Sequence, residues 1–387
     1  MVPASLKINW EQEVRKWASG LGVRRVLGDS DDRLATYMLP IPVLVVSYEQ
    51  LRDDAPSIGS DINFDIVILD EAQRIKNSNS LVAMACKLVS RSRSWAPTGT
   101  PVENSAEDLE ALFSFIKPGL IHSHMPRSLI HDRIRPYFLR RLKRDVLAEM
   151  PPILIQDITL ELEAEQREAY SELWDQRAML LQENGRPVSE VHLLALITRL
   201  KQLCNFEPQS QLSVKMNMLD DVLESLDANC EKCLIFSQYV KTLDFISSRV
   251  NMPHAIYHGG LSEVERSELL QRFERNNGSF CLLVSLKAGG VGLNLNAAST
   301  VILFDRWWNP AVENQAIQRA HRFGRSRPLQ VIRFIVRDTI EERISEVLND
   351  KSALFEDYVE GAESWSPNVF DRSEMRRLLQ LGTSDVD

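Results

Sequence analysis

With 387 residues, 44% of them hydrophobic and 26% charged, the chain has room for two or three domains and the make-up of an ordinary globular protein. A formal net charge of −9 argues against indiscriminate binding to nucleic acid, though it allows local basic surfaces. No apolar run approaches the roughly 18 residues of a membrane span. MVPASLKINW lacks the apolar core of a secretion signal, and five scattered cysteines are too few for a disulfide framework, so the expected setting is intracellular.

In chain order, the first 150 residues alternate short apolar runs with polar helical stretches. NWEQEVRKWA and SLVAMACKLV read as helices; PVLVVSY (42–48) and FDIVILD (64–70) read as strands buried on both faces, as in a parallel sheet. The alternation predicts an α/β layered domain. Its second strand runs into IVILDEAQRIKN (66–77), which sets Asp70 and Glu71 at the carboxyl end, where parallel sheets bind ligands. Read alone, the pair is either a magnesium and water site for a nucleotide or a strand-end acid pair making surface contacts. Thr98, Gly99 and Thr100, followed by Pro101, are either a plain β-turn or a loop that senses a nucleotide and couples it to motion. DRIRPYFLRRLKRD (132–145) crowds six basic residues, in isolation a solvated face.

Residues 151–227 change character. Glu161–Leu203 is long, charged and helix-forming, broken at Asn184-Gly185-Arg186-Pro187, and predicts a helical connector between two sheets. Leu193, Leu194, Ile197 and Leu200 follow helical spacing and read as packing. Cys230 and Cys233 form one C-E-K-C pair with no second pair to complete a zinc site. From Cys233 a second α/β pattern begins, with strands predicted at CLIFSQY (233–239), HAIYHGG (254–260), CLLVSL (281–286), TVILFD (300–305) and QVIRFIV (330–336), and a helix at VERSELLQRFER (264–275). After CLLVSL, the run KAGGVGLN contains Gly289, Gly290 and Gly292, either a glycine-rich turn or a backbone able to approach a phosphate closely. Arg319 and Arg322 stand three apart, so a helix would put both on one face, either solvated or presented to a transferring phosphoryl group. The stretch from about Glu360 reads as a polar, loosely packed tail.

Taken in order, PASLKINWEQE, VVSYEQL, LDEAQRIKN, TGTPVEN, LIFSQY, YHGGLSEVERSELLQRF, SLKAGGVGLNL and DRWWNPAVENQAIQRAHRFG strongly resemble the Swi/Snf-type ATPases of helicase superfamily 2, with a bacterial cast to the short connector and the DEAQ form. YFLRRLKRDVLAEMPP and RLKQLCNFEP look like that family's inter-lobe signatures. The resemblance implies an α/β fold of two RecA-like parallel-sheet lobes joined by a helical connector. It divides the chain into a partial first lobe (1–150), a connector (151–227), a second lobe (228–360) and a tail (361–387). It implies ATP and magnesium as cofactors, double-stranded DNA and protein–DNA complexes as partners, no membrane, and a cytoplasmic or nucleoid setting.

Residue by residue, the resemblance gives Asp70 and Glu71 the magnesium and water roles and sets Gly289, Gly292, Arg319 and Arg322 around ATP. Thr98, Gly99 and Thr100 become the coupling loop. Ser5, Asn9, Ser47, Tyr48, Trp307 and Trp308 match positions tied to DNA or to coupling, the two tryptophans being equally suited to core packing. Pro97 stands where the family has leucine, and Gln318, Phe323 and Arg325 replace three positions of its D-R-A-H-R-I-G-Q motif. The largest departure concerns the phosphate-binding loop G-x-x-x-x-G-K-[ST]. No glycine in the chain is followed by lysine, and the family carries that loop upstream of P-A-S-L, so the first lobe is expected to be N-terminally truncated and to expose apolar sheet surface, and the chain is expected to be inactive as an ATPase by itself. Two alternatives follow: a non-catalytic DNA- or partner-binding fragment, or half of a split ATPase completed by a P-loop-bearing chain.

Overall fold

The computed structural model describes residues 1–58, 62–98, 106–139, 150–177, 179, 190–286, 295–307, 310–322, 324–348 and 372–381. Its contacts divide the chain into two compact units, one built on Met1–Val146 and one on Leu147–Gly361 with Asn368–Asp387.

In the first unit, short apolar runs give β1 (Val23–Arg25), β2 (Val43–Val45), β3 (Phe64–Ile68) and β4 (Arg91–Trp95). Helices α1 (Lys7–Trp17), α2 (Ser30–Tyr37), α3 (Tyr48–Ile58), α4 (Leu81–Leu88), α5 (Ala106–Ile116) and α6 (Arg127–Ile134) accompany them. The pairs β1–β2 and β3–β4 are parallel. Residues 1 and 2 lie between them: Val2 N donates to Val46 O (3.0 Å), Asp70 N donates to Met1 O (2.9 Å), and Met1 N donates to Ile68 O (2.7 Å). Val67 and Leu69 enter a core with Tyr48, Leu51, Ile75 and Phe115.

The expectation that 64–70 is buried on both faces does not hold. Ile66 and Ile68 are 37% and 38% exposed, and Trp95 on β4 is 55% exposed. Helices α3 and α4 share the core that Val67 and Leu69 enter, while Ile66 and Ile68 on the other face stay partly exposed, so the end of the apolar run alternates in and out with the strand period.

The second unit is a six-stranded parallel sheet in the order β5-β10-β9-β6-β8-β7. Its strands are β5 (Ile153–Leu160), β6 (Lys232–Ser237), β7 (His254–Tyr257), β8 (Phe280–Ser285), β9 (Thr300–Leu303) and β10 (Leu329–Val336). Alternate residues serve opposite cores. Ile235, Leu283, Ile302 and Phe334 pack on one face; Phe236, Leu282, Val301 and Val331 pack on the other. Each fully buried aliphatic side chain of this kind contributes about 1.5–3 kcal/mol, so both layers are held by apolar burial. Helices α7 (Ala164–Asp175), α8 (Glu190–Asn205) and α9 (Val214–Ala228) precede β6, and α10 (Val240–Ser247), α11 (Glu263–Arg275) and α12 (Pro310–Ala320) follow. No helix among the described residues is long and apolar enough to cross a membrane.

Two sequence expectations change here. Residues 153–160, expected within the helical connector, form edge strand β5, paired along its length with β10. The β-branched run ILIQDITL suits a strand, and its edge place leaves Leu154 and Ile155 exposed, which dilutes the apolar signal. Part of the expected polar tail instead forms helix α13 (Arg372–Leu378), with Met375, Leu378 and Leu379 buried. Arg177 Nε donates to Leu379 O (2.7 Å) and Arg343 Nη1 to Leu378 O (3.2 Å), satisfying carbonyls at the helix end. Both guanidiniums lie against the Trp174 ring, at 4.4 and 4.2 Å from its centroid.

Candidate functional site

Asp70 and Glu71 follow β3 at its carboxyl end, as the strand-loop pattern requires. Every polar group of Asp70 is held. Its carboxylate accepts from Trp10 Nε1 (2.7 Å) and from Glu71 N (3.1 Å), and its carbonyl accepts from the Tyr48 hydroxyl (2.7 Å). Glu71 takes a left-handed conformation (φ 53°, ψ 53°), a strained turn for a residue with a side chain. That turn sends the chain into a 3-10 segment, Ala72–Ile75, and brings Ala72 N to Pro97 O (3.2 Å). Gln73 then bridges: its Nε2 donates to Glu71 Oε2 (2.8 Å), and its Oε1 accepts from Thr98 Oγ1 (2.7 Å). Asp70, Glu71 and Thr98 are thus parts of one hydrogen-bonded unit. Gly99 and Thr100 lie outside the described residues.

Ser47 and Tyr48 are almost fully buried, 2% and 0% exposed. Ser47 Oγ accepts from Gln50 N (3.2 Å) while Gln50 Oε1 accepts from Ser47 N (3.3 Å), a reciprocal cap on α3. Burial, with Cys86 and Asp70 adding to it, raises the Tyr48 phenol far above its ordinary pKa, so it is a permanent donor. Tyr48→Phe should lower stability in urea unfolding by about 1–2 kcal/mol, because the Asp70 carbonyl loses its partner. Asn9 is half-buried on α1, and Ser5 lies in the 3-10 turn Ala4–Leu6.

In the second unit, Arg319 is carried by α12, but the helix ends at Ala320 and Arg322 lies beyond it. The expectation that both arginines share a helical face is therefore corrected. The chain leaves the helix after His321 N donates to Ile317 O (3.0 Å), and Gly324 takes φ +93°, open to glycine at no steric penalty. Arg322 N donates to Asn296 Oδ1 (3.4 Å) and Leu295 N to Arg319 O (3.1 Å), tying both arginine positions to the lead-in of β9. Trp307 is half-buried against the β8–β9 core, and its N donates to Glu313 Oε1 (2.6 Å). Gly289, Gly292 and Trp308 lie outside the described residues.

Sequence reasoning missed the polar support under residues 304–307. Lys215 Nζ, fully buried, pairs with Glu341 Oε1 (2.6 Å) and donates to Phe304 O (2.8 Å) and Asn205 Oδ1 (3.0 Å). Asn205 Nδ2 donates to Asp305 Oδ2 (3.2 Å), and Lys201 Nζ to Arg306 O (2.5 Å). Arg306 pairs with Glu313 (3.0 Å). Burial pushes the Lys201 ammonium down to about 8, with Asp305 and Glu341 opposing the shift. The only advance signal was RLKQLCNFEP, which contains Lys201 and Asn205 and reads as a connector signature without revealing a charge network.

Strand-end carboxylates thus stand on the first α/β unit, and an arginine-bearing helix on the second, six-stranded parallel unit. The chain belongs to the SNF2-related family: the SNF2-related domain matches residues 1–209, and the helicase conserved C-terminal domain matches residues 214–324. It is 34% identical over 380 residues to an uncharacterized ATP-dependent helicase of Mycoplasma genitalium, covering 92% of this chain and 36% of that protein. It is 33% identical over 427 residues to the Bacillus subtilis protein named "Putative ATP-dependent helicase/translocase YwqA", covering 99% of this chain and 45% of that protein. The chain therefore spans less than half the length of these relatives. Among solved structures, the Sulfolobus solfataricus SWI2/SNF2 ATPase core in complex with dsDNA is similar over 98% of this chain and 85% of that one, at 26% identity and a TM-score of 0.48.

Proposed function

We propose that the chain is the core of a Swi/Snf-type, DNA-dependent ATPase that uses ATP and magnesium to translocate on double-stranded DNA and remodel protein–DNA complexes in the cytoplasm or nucleoid. The observation that supports this best is the hydrogen-bonded run from Glu71 through Gln73 to Thr98. It links the carboxylate suited to activating water with the loop suited to coupling. Glu71 orients and deprotonates the attacking water. Asp70 and Glu71 suit magnesium, which binds through one or two carboxylates together with phosphate oxygens and waters. When bound, the ion neutralises phosphate charge.

Gly289 and Gly292 offer backbone N–H groups to the nucleotide, and Arg319 and Arg322 meet the charge that develops on the transferring phosphoryl group. Ser5, Asn9, Trp307 and Trp308 serve the DNA side. The burial of Ser47 and Tyr48 favours a coupling role for them, since one caps α3 and the other braces Asp70. The domain division follows the same reading, with a first lobe to about residue 150 followed by the connector helices and the second lobe, to whose sheet β5 (Ile153–Leu160) belongs.

The test is hydrolysis of MgATP, with and without duplex DNA, by the chain joined to a P-loop-bearing segment ahead of it, since no glycine in the chain is followed by lysine. DNA should stimulate turnover, and Glu71→Gln should lower kcat by roughly 100-fold or more while leaving duplex affinity intact. Hydrolysis indifferent to Glu71→Gln rejects the assignment.

A second reading is favoured by one feature. The outer edge of β4 has no strand partner among the described residues, and Ile66, Ile68 and Trp95 are exposed beside it. A P-loop-bearing chain would complete this side of the sheet. In that case turnover appears only when such a chain is added, and it still vanishes in Glu71→Gln. Duplex binding with a negative salt slope and no dependence on ATP would instead mark a non-catalytic DNA-binding fragment.

A further inference from the structure

Arg325 stands where the resembling motif has glutamine, and its surroundings are unusual for a surface arginine. All three guanidinium nitrogens are engaged, entirely by main-chain carbonyls. Nε donates to Arg327 O (2.7 Å); Nη1 reaches Ala298 O (2.6 Å), Ala320 O (3.2 Å) and Asn296 O (3.3 Å); Nη2 reaches Pro328 O (3.1 Å) and Ser299 O (3.3 Å). Those oxygens belong to three separate segments. Residues 296–299 lead into β9 and follow the glycine-rich stretch in sequence, Ala320 is the last residue of α12, and residues 327–328 lead into β10.

A helix C-terminus carries orphan carbonyls and partial negative charge, so a cation there is favoured. Only the planar arginine fork, with five N–H donors, spans such a ring. Glutamine has two donors, and lysine has three on a single atom. The hydrogen bonds from Leu295 N to Arg319 O and from Arg322 N to Asn296 Oδ1 involve neighbours of this ring in sequence.

We propose that Arg325 is a positioning residue of the second unit, a carbonyl clamp that sets Arg319 and Arg322 against the residues following the glycine-rich stretch. Its consequence for catalysis rests on the ATPase reading above; its structural action does not. The experiment compares Arg325→Gln, Arg325→Lys and Arg325→Ala in the full chain by amide hydrogen exchange. In all three, exchange at Leu295 and Arg322 should rise by roughly tenfold or more while β8 keeps its protection, because the clamp is local. Wild-type exchange in Arg325→Lys would mean that charge alone suffices, and equal loss of protection through β8 would mean a general stabiliser. Either result overturns the proposal.

Turnover of MgATP on duplex DNA gives the functional arm. The lysine and glutamine variants should lose kcat with KM unchanged, the sign of an interaction made in the transition state; a change confined to KM counts against the clamp. If the wild-type chain shows no turnover even when a P-loop is supplied, the ATPase reading fails and the exchange comparison alone decides for or against Arg325.

Discussion

Lys215→Met is expected to destabilise the second unit by about 3–5 kcal/mol, the usual effect of stripping one partner from a buried ion pair. Lys215 and Glu341 are both fully buried, and their 2.6 Å contact joins residues 126 apart in sequence. Removing the ammonium leaves the fully buried Glu341 carboxylate without its ion-pair partner. Glu341→Met should cost a similar amount. The double variant should recover at least about 2 kcal/mol of the summed loss, because an apolar pair leaves no charge stranded. Recovery stays partial, since Phe304 O and Asn205 Oδ1 lose their donor and Val336 N its acceptor. A double-mutant cycle in urea unfolding checks this; strictly additive losses would show that the two groups do not act as a pair.

The second large effect is in pH dependence. Burial depresses the Lys201 ammonium from 10.5 to about 8. Between those values the unfolded chain binds more protons than the folded one, so this residue makes stability rise with pH. Its contribution is complete above about 10.5 and is lost as pH falls through about 8. At 1.36 kcal/mol per pKa unit, the full swing is about 3 kcal/mol. Burial also raises the thiols of Cys86, Cys204 and Cys281, which oppose the trend as they ionise in the unfolded chain above about pH 9. The signature is therefore the stability of wild type minus that of Lys201→Met, followed by urea unfolding from pH 7 to 11. That difference should climb through the window; a flat difference would sink the assignment. A neutral lysine still donates to Arg306 O, so the segment stays pinned at high pH.

Much of the fold was legible. The strand runs at 233–239, 281–286 and 330–336 became β6, β8 and β10, because short, nearly continuous apolar stretches encode a buried parallel strand locally. The misreadings share a cause. FDIVILD has the composition of a two-sided strand, yet composition cannot say whether a second layer lies on its far face, and Ile66 and Ile68 are exposed. ILIQDITL sits among charged helical sequence and depends on β10, some 176 residues away, to be a strand. RSEMRRLL is polar by count, but Met375, Leu378 and Leu379 fall on one helical face and are buried.

Local sequence by itself determined the family, the order of its motifs, and the placement of Asp70 and Glu71 at a strand end. The family follows from the likeness of the motifs in their order, and the strand end from a short apolar run. Only the tertiary structure decided what the motifs lean on. Trp10 and Tyr48 hold Asp70, and Gln73 joins Glu71 to Thr98. Lys201 and Lys215 pin residues 304–306, and Arg325 gathers carbonyls from three segments. Most of these contacts depend on strand order and chain return, as between Trp10 and Asp70 or Lys215 and Phe304, and no local pattern encodes which distant partner a charge will meet.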